Sequence, residues 1–492
     1  MEAASSSIDT YYISGSKLKQ LTNQTSQKIV PSVRLIAYST SAAAAFAALA
    51  NDRTHDLPIS RIYTMGIASA LRRLLSNVAT HGPTIFRRLR SRSGVYAFIA
   101  FLFIYLALIR YCSFAFHRDP TSAFFDPARG YERKYSIKRQ RDAESFIHNA
   151  NTSSFHQKVT PKNAKMCVGV ASVGRDGEQY VEATIGSLLD GLTPEEREEI
   201  FLVVLIAETT PSHHPIYGKT WLTNIVDKVL LYDVSQPQLE DLIQWENERD
   251  YRKKAIFDYT YVLQRCYNSG AQWIVIVEDD TLAVRGWYPR TIEALAMADE
   301  QYPPKKGSDW LYLRLFFTEE FLGWNSEEWP HYLLASIAVT GMTAVALLLL
   351  RQFTLKTTIT NTMLVVVAFI CCPMCIALYF LAGRLSMQPL QPGVHAMPKF
   401  GCCAQGFAFS KEMAPRVIAR LSSIRSGFVD EIIEAWANEL NLVRWVVIPS
   451  LLQHIGGHSS KGDDYGSKSK YSRTVAEKIW NFGFEMYDDN IR

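Results

Sequence analysis

Hydrophobic positions along the 492-residue chain fall into three patterns. The first is three long runs almost free of charge: residues 94–116, whose only interior charge is Arg110, residues 332–350 and residues 361–383. Each predicts a helix able to cross the hydrocarbon layer of a bilayer. The second is a set of short runs rich in Ile and Val: "KMCVGVASV", "IFLVVLIAE", "KVLLYDV" and "WIVIV", the last at residues 273–277. They predict strands buried on both faces of a largely parallel sheet. The third is apolar spacing of helical period, in "EQYVEATIGSLLDGL" and in "AIFDYTYVLQRCYNSG", which Gly270 closes. Strand and helix alternate, so the fold class is α/β, with its ligand site at the carboxyl ends of the strands.

Beyond the third long run, the 109 residues of 384–492 hold only "QGFAFSKE", a helical stretch at "FVDEIIEAWANEL" and "LVRWVVIPSLLQHIGGHSS". That is too little for an independent core. It reads as the missing half of the first α/β piece, with a membrane hairpin interrupting one domain.

Charge orients these pieces. Residues 1–93 carry twelve Lys or Arg against four Asp or Glu, ending in "RRLRSRS" beside the first long run. The basic flank predicts a cytoplasmic N-terminus. The loop at 351–360 carries Arg351 and Lys356 and no acid, which puts it on the same side. Residues 117–163, a polar and basic stretch expected to be an irregular stalk, then lie across the membrane with 164–331 and 384–492. The expected order is a basic arm (1–93), a first span (94–116), the stalk, a first domain part (164–331), two spans (332–350 and 361–383) joined by a cytoplasmic loop, and a second domain part (384–492). The apolar core at 94–116 lies too far from Met1 for a cleaved signal peptide. The Ala-rich segment at 39–50 reads as an amphipathic surface helix.

Placed in a secretory compartment, Cys167, Cys266, Cys402 and Cys403 allow one or two disulfides of unspecified pairing. Asn151, in "NTS", becomes a glycosylation acceptor, whereas Asn23, in "NQT", stays bare. A net charge of +4 adds nothing. No nucleic-acid partner is expected.

The candidate chemistry sits at the end of the 273–277 run, where Glu278, Asp279 and Asp280 follow one another. Adjacent carboxylates repel unless a cation shares them, so the triplet reads as ligands for a hard divalent metal that would hold phosphates. The competing reading is an acidic turn with Asp280 as a cap. Neither a dinucleotide-binding GxGxxG nor a Walker sequence is present.

Four stretches together carry a resemblance: "ASVGRDGEQYVEATIGSLLDGL", "VIVEDDTLAVRGW", "GCCAQGFAFSKE" and "PSLLQHIGGHSS". The chain resembles the GPI-glycan N-acetylgalactosaminyltransferase family that acts after GPI attachment, and is more distantly similar to the N-acetylglucosaminyltransferase IV family. The resemblance covers roughly residues 165–475. It implies a GT-A-type nucleotide-sugar glycosyltransferase domain split by a tandem transmembrane insertion, in the Golgi membrane. A UDP-sugar would be the donor, manganese or another divalent cation the cofactor, and a GPI glycan or GPI-anchored protein the acceptor.

The resemblance also implies roles. Glu278, Asp279 and Asp280 become the DXD-equivalent metal site, with Asp280 the direct ligand and Asp279 holding ribose or metal. His454 supplies another metal or diphosphate contact, or a structural hydrogen bond. Arg175 and Asp176 flank the uridine, or form an ordinary polar turn. Gly406 allows close backbone approach to the sugar. Inversion at the anomeric carbon needs a carboxylate base; Glu431 is favoured, with Asp430 next and Glu434 on the same helix. Two other readings stay open: a metal phosphodiesterase acting on GPI, which would need dispersed His and Asp ligands, and a scaffold or cargo receptor with a degenerate transferase domain.

Overall fold

A computed structural model describes residues 92–152, 164–175, 177–301, 310–353, 359–397, 401–457, 477 and 479–488. Asp176, His458, Asn23, residues 39–50 and most of the 351–360 loop lie outside the described residues.

In chain order, short helices of up to six residues aside, the elements are α1 (Arg92–Ala115), α2 (Tyr135–Thr152), β1 (Met166–Ser172), α3 (Val181–Leu189), β2 (Ile200–Ile206), β3 (Lys228–Leu230), α4 (Gln236–Glu248), α5 (Tyr251–Tyr267), β4 (Trp273–Glu278) and β5 (Thr281–Ala283). There follow α6 (Trp287–Gln301), β6 (Tyr312–Arg314), α7 (Trp329–Phe353), α8 (Asn361–Leu381), β7 (Gly393–Ala396), β8 (Gly406–Ser410), α9 (Ala414–Ser422), α10 (Val429–Leu440), β9 (Arg444–Ile448) and β10 (Leu452–His454).

Eight strands form one sheet in the order β3-β2-β1-β4-β8-β6-β9-β7. The half from β3 to β4 is all parallel, as the Ile- and Val-rich runs predict. The other half is mixed: β8 runs antiparallel to both β4 and β6, β9 is parallel to β6, and β7 is antiparallel to β9. Strands from before and after α7 and α8 therefore share one sheet, with Ile274 opposite Phe409 and Val277 opposite Gly406. Apolar layers cover both faces. Within one of them Cys167 of β1 is bonded to Cys266 of α5, and in the other the neighbours Cys402 and Cys403 are bonded to each other. A separate antiparallel ribbon pairs β5 with β10, placing His454 opposite Thr281.

Three helices are long and apolar enough to cross a membrane. The second, α7, runs past the expected span of 332–350 at both ends. Tyr105 and Cys112 of α1 pack with Leu378 of α8, and Tyr105 Oη donates to Met374 O at 3.1 Å. Within α8, residues Val367–Cys371 widen into a π turn just before Pro373. Proline has no N–H to offer, and its ring crowds the carbonyl four residues back.

The stretch expected to be an irregular stalk is helical from Tyr135 to Thr152 and belongs to the core. Ala143, Ile147 and Ala150 recur at helical spacing and are buried. A side chain at Gly186 of α3 would collide with the backbone of Ala143, so glycine there lets α2 and α3 approach closely. Arg139 reaches through this contact, only 1% exposed, and donates to Ser187 O at 2.6 Å, to Ala283 O at 2.8 Å and to Asp190. It ties α2 to β5, directly behind the acidic triplet.

Candidate active site

The acidic residues sit where β4 leaves the sheet, and the chain turn gives each its own set of partners, with Arg175 common to Asp279 and Asp280. Glu278 Oε2 accepts from Gln405 Nε2 at 3.0 Å, and the two backbones are bonded as well. Asp279 turns inward and is 6% exposed. It accepts from Ser172 Oγ at 2.7 Å and from both terminal nitrogens of Arg175, at 2.9 and 2.6 Å. Asp280 faces Arg175 at 3.3 Å and His454 Nε2 at 3.6 Å through Oδ2.

Burial pushes the Asp279 carboxyl above the usual carboxylate range, and the Arg175 guanidinium opposes that rise. For Arg175 burial disfavours the cation, but Asp279 and Asp280 outweigh it and raise its pKa further. The pair is a bidentate, buried unit that fixes the turn. Thr184 completes it, donating Oγ1 to Asp279 O at 2.8 Å while accepting Thr281 N at 3.1 Å.

Of the four expected metal ligands, the structure brings Asp280 and His454 together and gives Glu278 and Asp279 other partners. Among the described residues no group of three His, Cys, Asp or Glu is set to hold a metal ion. Asp280 and His454 nonetheless fit one side of a divalent cation. A Cβ at Gly456 would lie 2.7 Å from Asp280 Oδ2 and 2.9 Å from His454 Nε2, so glycine keeps that cradle clear. Carboxylate suits magnesium and manganese and imidazole adds a nitrogen donor, and hard divalent ions commonly take one or two protein ligands and complete their shell with phosphate and water.

The remaining expected residues divide in the same way. Arg175, its side chain 6% exposed, serves the acidic turn from within rather than reaching outward. Gly406 is buried, and the room left by its missing side chain is taken by Leu452 of β10. In α10, Asp430 Oδ2 accepts from Cys403 N at 2.8 Å, on the loop that also carries Gln405. Glu431 is exposed. Glu434 is buried between Arg314 at 2.8 Å and Arg444 at 2.6 Å and accepts from Tyr312, a structural ion cluster.

Two features have no counterpart in the sequence reading. Lys254 of α5 donates to Ala207 O, Tyr232 Oη and Asp258 Oδ2 at 2.6, 2.8 and 2.9 Å, forming a polar wall at the carboxyl ends of β2 and β3. Beside it Glu208, its carboxyl raised by burial, accepts Gly174 N at 2.8 Å. The second feature is His214, whose Nε2 lies 3.1 Å from Ser172 Oγ. Its Nδ1 accepts Ile216 N at 3.3 Å, so the proton is on Nε2. Burial and the nearby Arg175 cation push its pKa down to about 4, leaving the ring neutral. No periodicity marks the loop "TTPSHHPIYG"; only the adjacent histidines hint at it.

A mixed α/β sheet with a carboxylate turn at the end of its central strand, on a chain with three helices long and apolar enough to cross a membrane, defines the class of fold. Over residues 166–453, more than half its length, the chain matches the family described as GPI-N-acetylgalactosamine transferase PGAP4, and it belongs to that family. This is the family that the sequence motifs resemble. The chain is also similar to alpha-1,3-mannosyl-glycoprotein 4-beta-N-acetylglucosaminyltransferase A of Bos taurus, 22% identical over 208 residues that are 38% of each chain. The C enzyme of Mus musculus is 24% identical over 178 residues, 33% of this chain and 37% of the relative. The B enzyme of Mus musculus is 27% identical over 158 residues, 30% of this chain and 27% of the relative. The chain thus spans less than two fifths of the length of these glycosyltransferases.

Proposed function

We propose that the protein is a metal-dependent, inverting glycosyltransferase with a GT-A-type domain. It moves N-acetylgalactosamine or a related hexosamine or hexose from a UDP-sugar to a membrane-tethered glycan, the mannose core of a GPI anchor. The observation that carries this reading is the convergence of Asp280 and His454 beside the bare α-carbon of Gly456, at the carboxyl end of the central strand of a sheet whose family transfers a hexosamine. Asp280 and His454 would hold the cation, which when bound neutralises charge on the departing diphosphate. The polar ends of β1 and β2, with Glu208 and the loop at Arg175 and Asp176, would receive the nucleoside. Asp430 is the better base of the two candidates, because its carboxylate already reaches the Cys403–Gln405 loop that abuts Glu278, whereas Glu431 points to solvent.

The domain would face the lumen of the Golgi and the N-terminus the cytosol. The basic flank of α1 and the Cys167–Cys266 bond support this. Protease protection of tags near Ser235 and Arg492 in sealed microsomes should report the same side; opposite sides would break the split-domain reading. The function itself is tested by UDP release from a panel of UDP-sugars with manganese and a lipid-tethered, mannose-containing glycan. One donor should turn over far faster with acceptor than without. Absence of turnover with every donor and acceptor would overturn it.

A further inference from the structure

We propose that His214 is a positioning residue for donor binding, acting through Ser172 on Asp279 to aim Asp280. This rests on the cation-dependent reading above and adds to it a residue outside the acidic turn and its direct partners.

Ser172 is fully buried and His214 is 2% exposed, so no solvent competes for their groups. With Ile216 N on Nδ1, the ring hydrogen of His214 is on Nε2, which lies 3.1 Å from Ser172 Oγ and also meets the backbone of Ser172 and Val173. Ser172 has one hydrogen, and the 2.7 Å contact gives it to Asp279 Oδ2. The direction His214 to Ser172 to Asp279 is therefore fixed. Arg175 fills the other acceptor sites of Asp279, so both carboxylate oxygens are held. Held on the side chain and, through Thr184, on the carbonyl, residue 279 has no freedom to rotate its following peptide. Asp280 keeps its direction toward His454. Residues that orient a ligand through hydrogen bonds commonly change metal affinity by about 10–100-fold when they are removed.

Two substitutions separate this role from packing. His214→Asn retains an acceptor at the position of Nδ1 for Ile216 N but is too short to reach Ser172. His214→Gln restores an N–H at the position of Nε2. The measurement is Mn2+ affinity in the presence of UDP, read from the electron paramagnetic resonance of free Mn2+ on the detergent-solubilised full chain. His214→Asn should weaken Mn2+ binding about tenfold, and His214→Gln should recover most of it. Ser172→Ala should weaken it similarly, and His214→Asn with Ser172→Ala should be no worse than either alone, since both break one relay. In turnover the loss should fall on KM for the donor rather than on kcat. Wild-type affinity in His214→Asn, or effects that add in the double variant, would overturn the relay. A wild-type protein that binds no Mn2+ with UDP would remove the cation reading and the relay with it.

Discussion

His454 Nε2 lies 3.6 Å from Asp280 Oδ2, although 174 positions separate the two residues in the chain. The ribbon of β5 and β10 makes the contact: His454 pairs with Thr281, the residue after Asp280, and Ile455 N returns to Asp280 O at 2.9 Å. Gly456 follows with no side chain to fill the space between them. A carboxylate from before α7 and α8 and an imidazole from after them thereby meet at one edge of the candidate site.

The first prediction separates the two aspartates. Asp279→Asn should destabilise the fold by about 3 kcal/mol, because it removes the bidentate carboxylate from the buried Arg175 and leaves it only the longer contact to Asp280. Thermal unfolding should show a clear fall in Tm. Asp280 is less enclosed, and Asp280→Asn should leave Tm nearly unchanged while lowering Mn2+ affinity. Equal effects of the two substitutions on Tm would contradict the division of roles.

Gly456→Ala places a methyl against both Asp280 and His454. Mn2+ titration should show weaker binding, with circular dichroism unchanged. Unaltered affinity would mean that the cradle beside these residues is not used.

In α10, Asp430→Asn keeps volume and an acceptor for Cys403 N but removes the base. Donor binding should persist while transfer falls by about a hundredfold or more, in the range typical of general-base loss. Glu431→Gln should transfer normally. Full transfer by Asp430→Asn together with failure of Glu431→Gln would move the base to the exposed position.

Much of the fold was legible because burial leaves a period. The Ile- and Val-rich runs became β1, β2 and β4, and the three nearly charge-free runs became membrane-length helices. α2 was not legible, since its inward face carries Ser136 and Arg139 among small apolar residues and its helical stripe is faint. The antiparallel placement of β8 beside β4 depends on a partner 129 positions away at its closest register pair, Val277 with Gly406, which no local pattern encodes. At the site, the sequence brought out the acidic triplet and His454 but not the directions of the carboxylates. Three consecutive side chains leaving a strand cannot share one focus, so Glu278 went to Gln405 and Asp279 to Arg175. His214 lies in an aperiodic loop and is recognisable only by what it touches.

A pH prediction follows from Glu319, which accepts Phe482 N and Gly483 N at 2.7 Å each and so holds the C-terminal segment that pairs with Gln453, next to His454. Burial pushes its carboxyl up to about 7, against the pull of those two N–H groups and with Asp119 adding to the rise. The folded protein then binds this proton more tightly than the unfolded chain. Its contribution is full below the ordinary value of 4.5 and is lost as pH rises to about 7. The change amounts to about 3 kcal/mol across the window. His214 works in the opposite sense, stabilising above 6.5 and losing that contribution as pH falls to about 4. Unfolding free energies of wild type and Glu319→Gln, compared at each pH, isolate the Glu319 slope. Parallel curves from pH 4.5 to 7 would contradict it.

The most direct test of the central claim is donor turnover by wild type and Asp280→Asn, each with Mn2+ and with a chelator, at saturating lipid-tethered acceptor. Wild type should release UDP only with the metal. Asp280→Asn should be slower by about a hundredfold or more at unchanged Tm, the several kcal/mol expected when a metal that stabilises developing charge is lost. Full turnover by Asp280→Asn, or by wild type in chelator, would contradict a cation held at Asp280 and His454.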